Sequence, residues 1–367
     1  MEEGLLKNEE RAIMKLRALY RSYGYMPYKM SKFEEYDLYV RNKDFLVSDR
    51  IITFNDTNGK LMALKPDVTL SIIKNGEDAV GVKQKVYYNE NVYRVSDSTH
   101  QYKEIMQAGL ECVGDIDAYD IYEAVTLAAE SLLEISESFV LDVAHLGILT
   151  ALLNGMDADE GLRREIARCI AGKNRHELER VCADAGVEAE QAERLCRFVG
   201  IYGSPARVLS ELLPLCESAE ARAAYEELAL LARLVENKPY ANRIRFDFSI
   251  VNDMNYYNGI VFRGFLSGIC EGVLSGGQYD KLMRRMGRKS GAVGFALYLD
   301  LLEELERERS EFDVDTLVLY DQYTDCEALS NKMTELIGEG KRASAQKAIP
   351  QKLRYRTCVD LRKGEKE

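Results

Sequence analysis

Tryptophan is absent, and histidine is scarce: only His100, His145 and His176 occur. The missing tryptophan excludes nothing, but the histidines bear on metals. They lie far apart, and none has a cysteine or a second histidine at ligand spacing. His176-Glu177 opens like a zincin motif, yet Arg180 stands where the second histidine belongs. No metal site is expected. The eight cysteines form no C-x-x-C pair, so they read as reduced thiols, mostly small core hydrophobes. No apolar run reaches the roughly 18 residues of a membrane span. Met1-Glu2-Glu3 opens an acidic start without an apolar stretch, unlike a secretion leader. A cytoplasmic protein is expected. Positive charge is also short: 49 Lys and Arg against 61 Asp and Glu give a net charge of −12. Such a balance argues against broad nucleic-acid binding, which draws on clustered Lys and Arg. Both the dinucleotide fingerprint and the G-x-x-x-x-G-K-[ST] phosphate loop are missing. A nucleotide would have to be held by other means, and no cofactor is expected.

What is present is a chain of 367 residues, 46% hydrophobic and 30% charged, enough for one large core or two to three domains. Ile13, Leu16, Tyr20 and Tyr23 mark an amphipathic helix over residues 9–23, ended by Gly24. Residues 50–64 read as strand, tight turn at Asp56–Gly59, strand. Lys85–Val95, Lys103–Val113 and Phe139–Ala144 read as strands, and residues 119–135 as a helix. After His145 the composition shifts to Leu, Ala, Glu and Arg, with helical stripes such as Leu162, Ile166 and Ile170. Strand character returns at residues 243–248 and 260–262, and a helix is expected from Ala292 to Arg309. The end of the chain holds a strand at 316–320, a helix near 325–337 and a local excess of basic residues from Lys341 that reads as a solvated tail. Four segments result: residues 1–145, a helical insertion 146–240, a return to the first core at 241–310, and a short C-terminal α/β segment 311–367. Hairpins with few intervening helices point to an α+β fold, an antiparallel sheet carrying helices, rather than a doubly wound one.

Three segments carry chemistry. In Gln107-Ala108-Gly109-Leu110-Glu111, strand geometry sends Gln107, Gly109 and Glu111 to one face. An amide and a carboxylate with a glycine between them suit an ammonium group, although alternation alone equally fits exposed polar residues on a half-wet sheet. Tyr256-Tyr257 stands at a strand start, where neighbouring rings are expected on opposite faces. Gly276-Gly277-Gln278-Tyr279-Asp280 lets the backbone approach a ligand or another strand, with Asp280 placed to cap the next helix.

In their order and spacing these segments resemble the histidyl-tRNA synthetase family over roughly residues 5–310. Leu64-Lys65-Pro66-Asp67-Val68-Thr69 is similar to that family's L-R-P-E-x-T segment. Tyr93-Arg94 resembles the F-R opening of class II motif 2. Gln107 through Glu111 matches Q-x-G-x-E, and Asn255 through Gly259 resembles D-Y-Y-T-G. Gly276 through Asp280 matches G-G-x-Y-D, and Ala292 through Ala296 the start of motif 3. The resemblance implies a class II aminoacyl-tRNA synthetase-like antiparallel sheet flanked by helices, usually dimerised. It implies a histidine site at Glu111, Gln107, Tyr257, Tyr256, Thr69 and Asp67, with Arg94 from motif 2.

The departures from the family pattern fall on activation chemistry. Ser96 replaces the glutamate of F-R-x-E; Asn252 falls where R-G-L-D-Y-Y has arginine; Asp300-Leu301 replaces the Glu-Arg pair that closes motif 3. Fewer than sixty residues follow Arg309, short for an anticodon-binding domain of about 100 residues. Together these imply no aminoacylation. The resemblance extends to the synthetase-like regulatory subunits of ATP phosphoribosyltransferase, the enzyme that opens histidine biosynthesis. It implies a homodimer that binds and activates a short-form catalytic subunit, with histidine as a feedback effector. The alternatives are a divergent histidyl-tRNA synthetase and a synthetase-like protein that binds another amino acid or a tRNA-like RNA.

Overall fold

The computed structural model describes residues 7–43, 46, 50–76, 81–95, 100–156, 158–253, 256–305 and 312–363. Ser96, Asn255 and Arg309 lie outside the described residues, as does the side chain of Asn252. Two compact units divide the chain, residues 1–305 and 306–367.

The first unit opens with α1 (Asn8–Ser22), whose buried stripe is Ala12, Leu16 and Tyr20. Four-residue spacing puts these side chains on one face, and Gly24 at φ +81° turns the chain away. β1 (Met26–Pro27), β2 (Phe33–Glu35) and α2 (Tyr36–Arg41) follow, then the hairpin of β3 (Thr53–Asn55) and β4 (Leu61–Leu64). Its turn closes as expected, with Gly59 at φ +80°. β2, β4 and β3 make a small antiparallel sheet. α3 (Thr69–Asn75) leads into two long strands, β5 (Lys83–Val95) and β6 (Tyr102–Gly114). α4 (Ala118–Ile135) is fixed at its start by a reciprocal box between Asp117 and Asp120, and β7 (Phe139–His145) comes next.

Six helices occupy the next stretch: α5 (Leu146–Asn154), α6 (Glu160–Ala171), α7 (Arg175–Asp184), α8 (Ala189–Val199), α9 (Pro205–Leu212) and α10 (Ala219–Val235). The helical stripes are mostly buried: Ile166 and Ile170 on α6, with Leu162 half-buried, and Leu178, Val181 and Cys182 on α7. All eight cysteines are free thiols, and Cys112, Cys169, Cys182, Cys196 and Cys216 are buried. A two-residue strand, β8 (Tyr202–Gly203), interrupts the helices and pairs with β9 (Ile244–Asp247). After a 3-10 turn over Phe248–Asp253 come β10 (Ile260–Leu266), β11 (Leu274–Gln278), α11 (Asp280–Arg285) and β12 (Gly291–Tyr298).

These strands form one nine-stranded sheet in the order β1-β5-β6-β12-β11-β10-β7-β9-β8. Its centre, from β5 to β7, is antiparallel, while β1 joins β5 and β9 joins β7 in parallel. The sheet is thus mixed at its edges rather than antiparallel throughout. The expected helix from Ala292 is instead β12, paired on both sides. Among the described residues its helical continuation is a 3-10 turn, Asp300–Glu304; residues 306–309 of the expected helix lie outside them. Ala292–Leu297 is apolar at every position because this central strand is buried on both faces, and such a run carries no period of two.

On one face of the sheet α1 and α4 cover Leu110, Cys112, Phe262, Phe295 and Leu297, and Tyr20 reaches Ser131 at 3.0 Å across the two helices. On the other face α3 and α11 pack on Val86, Tyr88, Val113 and Ala292. That face also holds Lys65, fully buried and paired with Glu90. An ammonium group without its partner in such a place is strongly penalised. Glu90→Gln is expected to destabilise the protein by about 3 kcal/mol in chemical unfolding; a loss below about 1 kcal/mol would place the pair among weak surface bridges.

In the second unit β13 (Val314–Leu319) lies between β14 (Ala343–Gln346) and β15 (Tyr355–Asp360), parallel to both, with α12 (Cys326–Gly338) following β13. This is a small α/β unit. The basic stretch after Lys341, read as a solvated tail, supplies two of these strands. Arg342 and Arg354 pair with Asp315 and Asp313, which turns part of the local charge excess into strand-end contacts.

Candidate functional site

The open face of the central sheet forms the floor of a cavity of about 430 Å³. Asp67, Thr69, Arg94, Gln107, Glu111, Tyr256 and Tyr257 all line it, so the residues singled out from the sequence converge. Gln107 and Glu111 stand on β6 with Gly109 between them, as the two-residue period requires. Gly109 faces Tyr88 across β5. A Cβ there would strike the Tyr88 hydroxyl and the Phe295 carbonyl. The glycine therefore makes room for a tyrosine ring as much as for a ligand.

Glu111 is the centre of the site. It is 2% exposed. Thr69 Oγ1 donates to its Oε1 at 2.7 Å, and the Tyr279 hydroxyl donates to its Oε2. Gly294 on β12 lies directly across, and a Cβ there would occupy the carboxylate's place. Burial pushes the Glu111 carboxyl up to about 8, against the opposing pull of the Tyr279 and Thr69 hydrogen bonds. At neutral pH Glu111 is thus held largely in its uncharged form. Asp67 is raised too, again by burial, while its Oδ1 accepts the Leu70 amide at 2.9 Å at the start of α3. Its shortness relative to a glutamate suits this local bond. It remains at the cavity wall.

The two neighbouring tyrosines depart from expectation. Tyr256 and Tyr257 do not point to opposite faces. Their rings meet edge to face at 4.7 Å, and both line the cavity. The segment is a turn rather than a strand: the Asn258 amide donates to the Gln278 carbonyl, and β10 begins only at Ile260. Alternation does not apply to it. Asp280 also differs from its expected role. Tyr279 is the N-cap of α11, without a side-chain cap bond. Asp280 instead ties three segments together, accepting from the Ala292 amide, the Gln278 side chain and Asn258.

Sequence reasoning missed Tyr88, Tyr279, Tyr298 and Arg263, all cavity residues. Tyr279 sits inside the G-G-x-Y-D segment, and Tyr88 faces Gly109 in register; an aromatic opposite a strand glycine was the available signal. Tyr298 was hidden by reading β12 as a helix. Arg263 had no motif to mark it. Leu301, at the position matched to the motif 3 arginine, packs against the apolar core and is not among the cavity's lining residues.

A mixed sheet flanked by helices is the class II synthetase-like fold, and here an amide, two carboxylates and a ring of tyrosines line a cavity over its centre. The family model for histidyl-tRNA synthetase matches residues 3–302, and the chain belongs to that family. A protein of Oceanobacillus iheyensis named ATP phosphoribosyltransferase regulatory subunit is 26% identical over 293 residues, covering 79% of this chain and 72% of that protein. A Bacillus halodurans structure, described as an ATP phosphoribosyltransferase regulatory subunit/histidyl-tRNA synthetase, is similar with a TM-score of 0.75. It is 20% identical and covers 97% of this chain and 94% of that one. A chain from the ATP phosphoribosyl transferase (HisG:HisZ) complex of Thermotoga maritima is similar with a TM-score of 0.62 and 19% identity, covering 78% and 96%. Both structures agree in fold. Among the described residues no helix is long and apolar enough to cross a membrane.

Proposed function

We propose that this chain is a regulatory subunit of ATP phosphoribosyltransferase, without aminoacylation activity of its own. In this reading it activates a short-form catalytic subunit and contributes to feedback inhibition by histidine. The observation that carries the reading is a division within one site. The groups that suit a histidine ligand converge on a single cavity, while the position matched to the motif 3 arginine is Leu301, half-buried against the apolar core. A pocket able to bind an amino acid but short of the charges that drive its activation is suited to sensing. The name carried by the Oceanobacillus relative supports the same assignment.

Glu111, Gln107 and Tyr257 are the expected histidine contacts, with Thr69, Asp67, Tyr256 and Arg94 around them. The reading includes a cytoplasmic homodimer formed through the synthetase-like core, since symmetric dimers are the commonest oligomers. It takes residues 146–240 as an insertion between two parts of that core, 1–145 and 241–310. Reconstitution is the test. Adding the chain to a short-form catalytic subunit is expected to raise the rate of phosphoribosyl transfer to ATP, saturating at a fixed ratio. A rate that ignores the added chain contradicts the assignment.

A further inference from the structure

The cavity has a second, cationic pole. Arg94 on β5 and Arg263 on β10 line the same space as Glu111. In the strand order β5-β6-β12-β11-β10 they stand two strands to either side of Tyr298 on β12. Both guanidinium groups act on the Tyr298 phenol, and Arg94 hydrogen-bonds to it. Arg94 is further held by its Nε, which donates to the Pro66 carbonyl at 3.0 Å. Arg263 has a prepared berth of its own. A Cβ at Gly272 would strike its Nε, and its guanidinium lies 5.7 Å from the Phe265 ring centroid. Asp142 faces Arg263 in register on β7, but the cations acting on Asp142 are Arg245 and Lys173. Among the described residues no carboxylate forms an ion pair with Arg263.

We propose that Arg263 reads the carboxylate of the amino acid held in this cavity, replacing a guanidinium lost where Asn252 stands. The inference rests on the proposed histidine site. A carboxylate fits better than a polyphosphate. Among the described residues that line the cavity, Arg94 and Arg263 are the only cationic side chains, and the cavity also holds Asp67 and Glu111. Those acids offer a polyphosphate no counter-charge, whereas Glu111, once ionised, complements an ammonium group at the other end of a zwitterion. The planar fork of an arginine suits a carboxylate bidentately, which a lysine cannot reproduce.

The experiment is calorimetric titration of the full chain with L-histidine, with histamine, which lacks the carboxylate, and with ATP. Wild type is compared with Arg263→Gln and Arg263→Lys. Wild type is expected to prefer histidine over histamine by about tenfold or more, the size of one charge-assisted contact. Arg263→Gln should lose about that factor for histidine while histamine binding stays within roughly twofold, and Arg263→Lys should fall between. An unchanged histidine-to-histamine ratio overturns the proposal, as does an equal loss for both ligands or a wild type that ignores histidine. A loss confined to ATP overturns it in favour of a phosphate contact. Activation of the catalytic subunit by wild-type chain without histidine reports separately on the regulatory assignment. Activation with an unchanged ligand ratio sinks only the Arg263 role; a collapsed ratio without activation sinks only the regulatory assignment.

Discussion

Histidine-dependent pyrophosphate exchange by the purified chain is expected at the background rate. Adenylate formation brings a carboxylate against a polyphosphate, and the barrier falls only when fixed positive charge meets the developing negative charge. Each preorganised donor of that kind contributes on the order of 100- to 1,000-fold. Here the position matched to one arginine is Asn252, and the other is Leu301, half-buried against the apolar core. Losing two such groups lowers the rate by roughly 10,000-fold or more, below detection beside an active family member assayed in parallel. Leu301→Arg alone should not restore exchange, because its side chain starts from a packed apolar site rather than from the cavity wall. Exchange well above background in the wild-type chain would contradict the account of these departures.

Glu111→Gln is expected to weaken histidine binding about tenfold or more. An ammonium group against a carboxylate is a charge-assisted contact worth roughly 1.5–3 kcal/mol, or about ten- to a hundredfold in affinity. The raised carboxyl gives the prediction a pH signature. With its carboxyl pushed up to about 8 by burial, Glu111 is largely protonated at pH 7 and loses that proton to hold the ammonium. Binding therefore releases close to one proton at pH 7. Affinity rises with pH between about 6.5 and 8 and levels off once the free carboxyl is ionised. Calorimetry in two buffers of different ionisation enthalpy reads the proton directly. The same shift acts on stability with a definite sign. A carboxyl raised from its ordinary 4.5 to about 8 on folding contributes stability that is full at low pH and is lost as pH rises through the folded value. Glu111→Gln removes that loss, so the ligand-free variant should gain in melting temperature relative to wild type at pH 9 more than at pH 6. Unchanged histidine affinity in the variant would move the ligand site elsewhere.

Much of this site was legible in the chain because its geometry is local. Gln107 and Glu111 share a face by the period of a strand. The hairpin at Asp56–Gly59 and the amphipathic α1 follow from turn chemistry and helical spacing. What escaped notice depends on long-range burial. β12 reads as a helix because both its faces are covered. β11 contains Gly276-Gly277, poor strand formers, and is a strand only because Gly276 and Gly277 fit between β10 and β12. β14 and β15 are short strands that exist through pairing with β13. Tyr298 and Arg263 were missed for this reason. Each enters the cavity from a strand whose place in the sheet is set by partners distant in sequence. The buried state of Glu111 likewise needs Thr69, Tyr279 and Gly294 from three other segments, and no spacing rule links them.

The central claim is that an amino-acid cavity on a synthetase-like fold serves regulation. The direct measurement is phosphoribosyl transfer by a short-form catalytic subunit reconstituted with this chain, titrated with histidine. The account predicts that the chain raises the rate and that histidine then suppresses it, with the inhibiting concentration shifted upward by about tenfold or more when the complex carries Glu111→Gln. A catalytic subunit indifferent to the chain, or a complex inhibited at the same histidine concentration with wild type and Glu111→Gln, would contradict it.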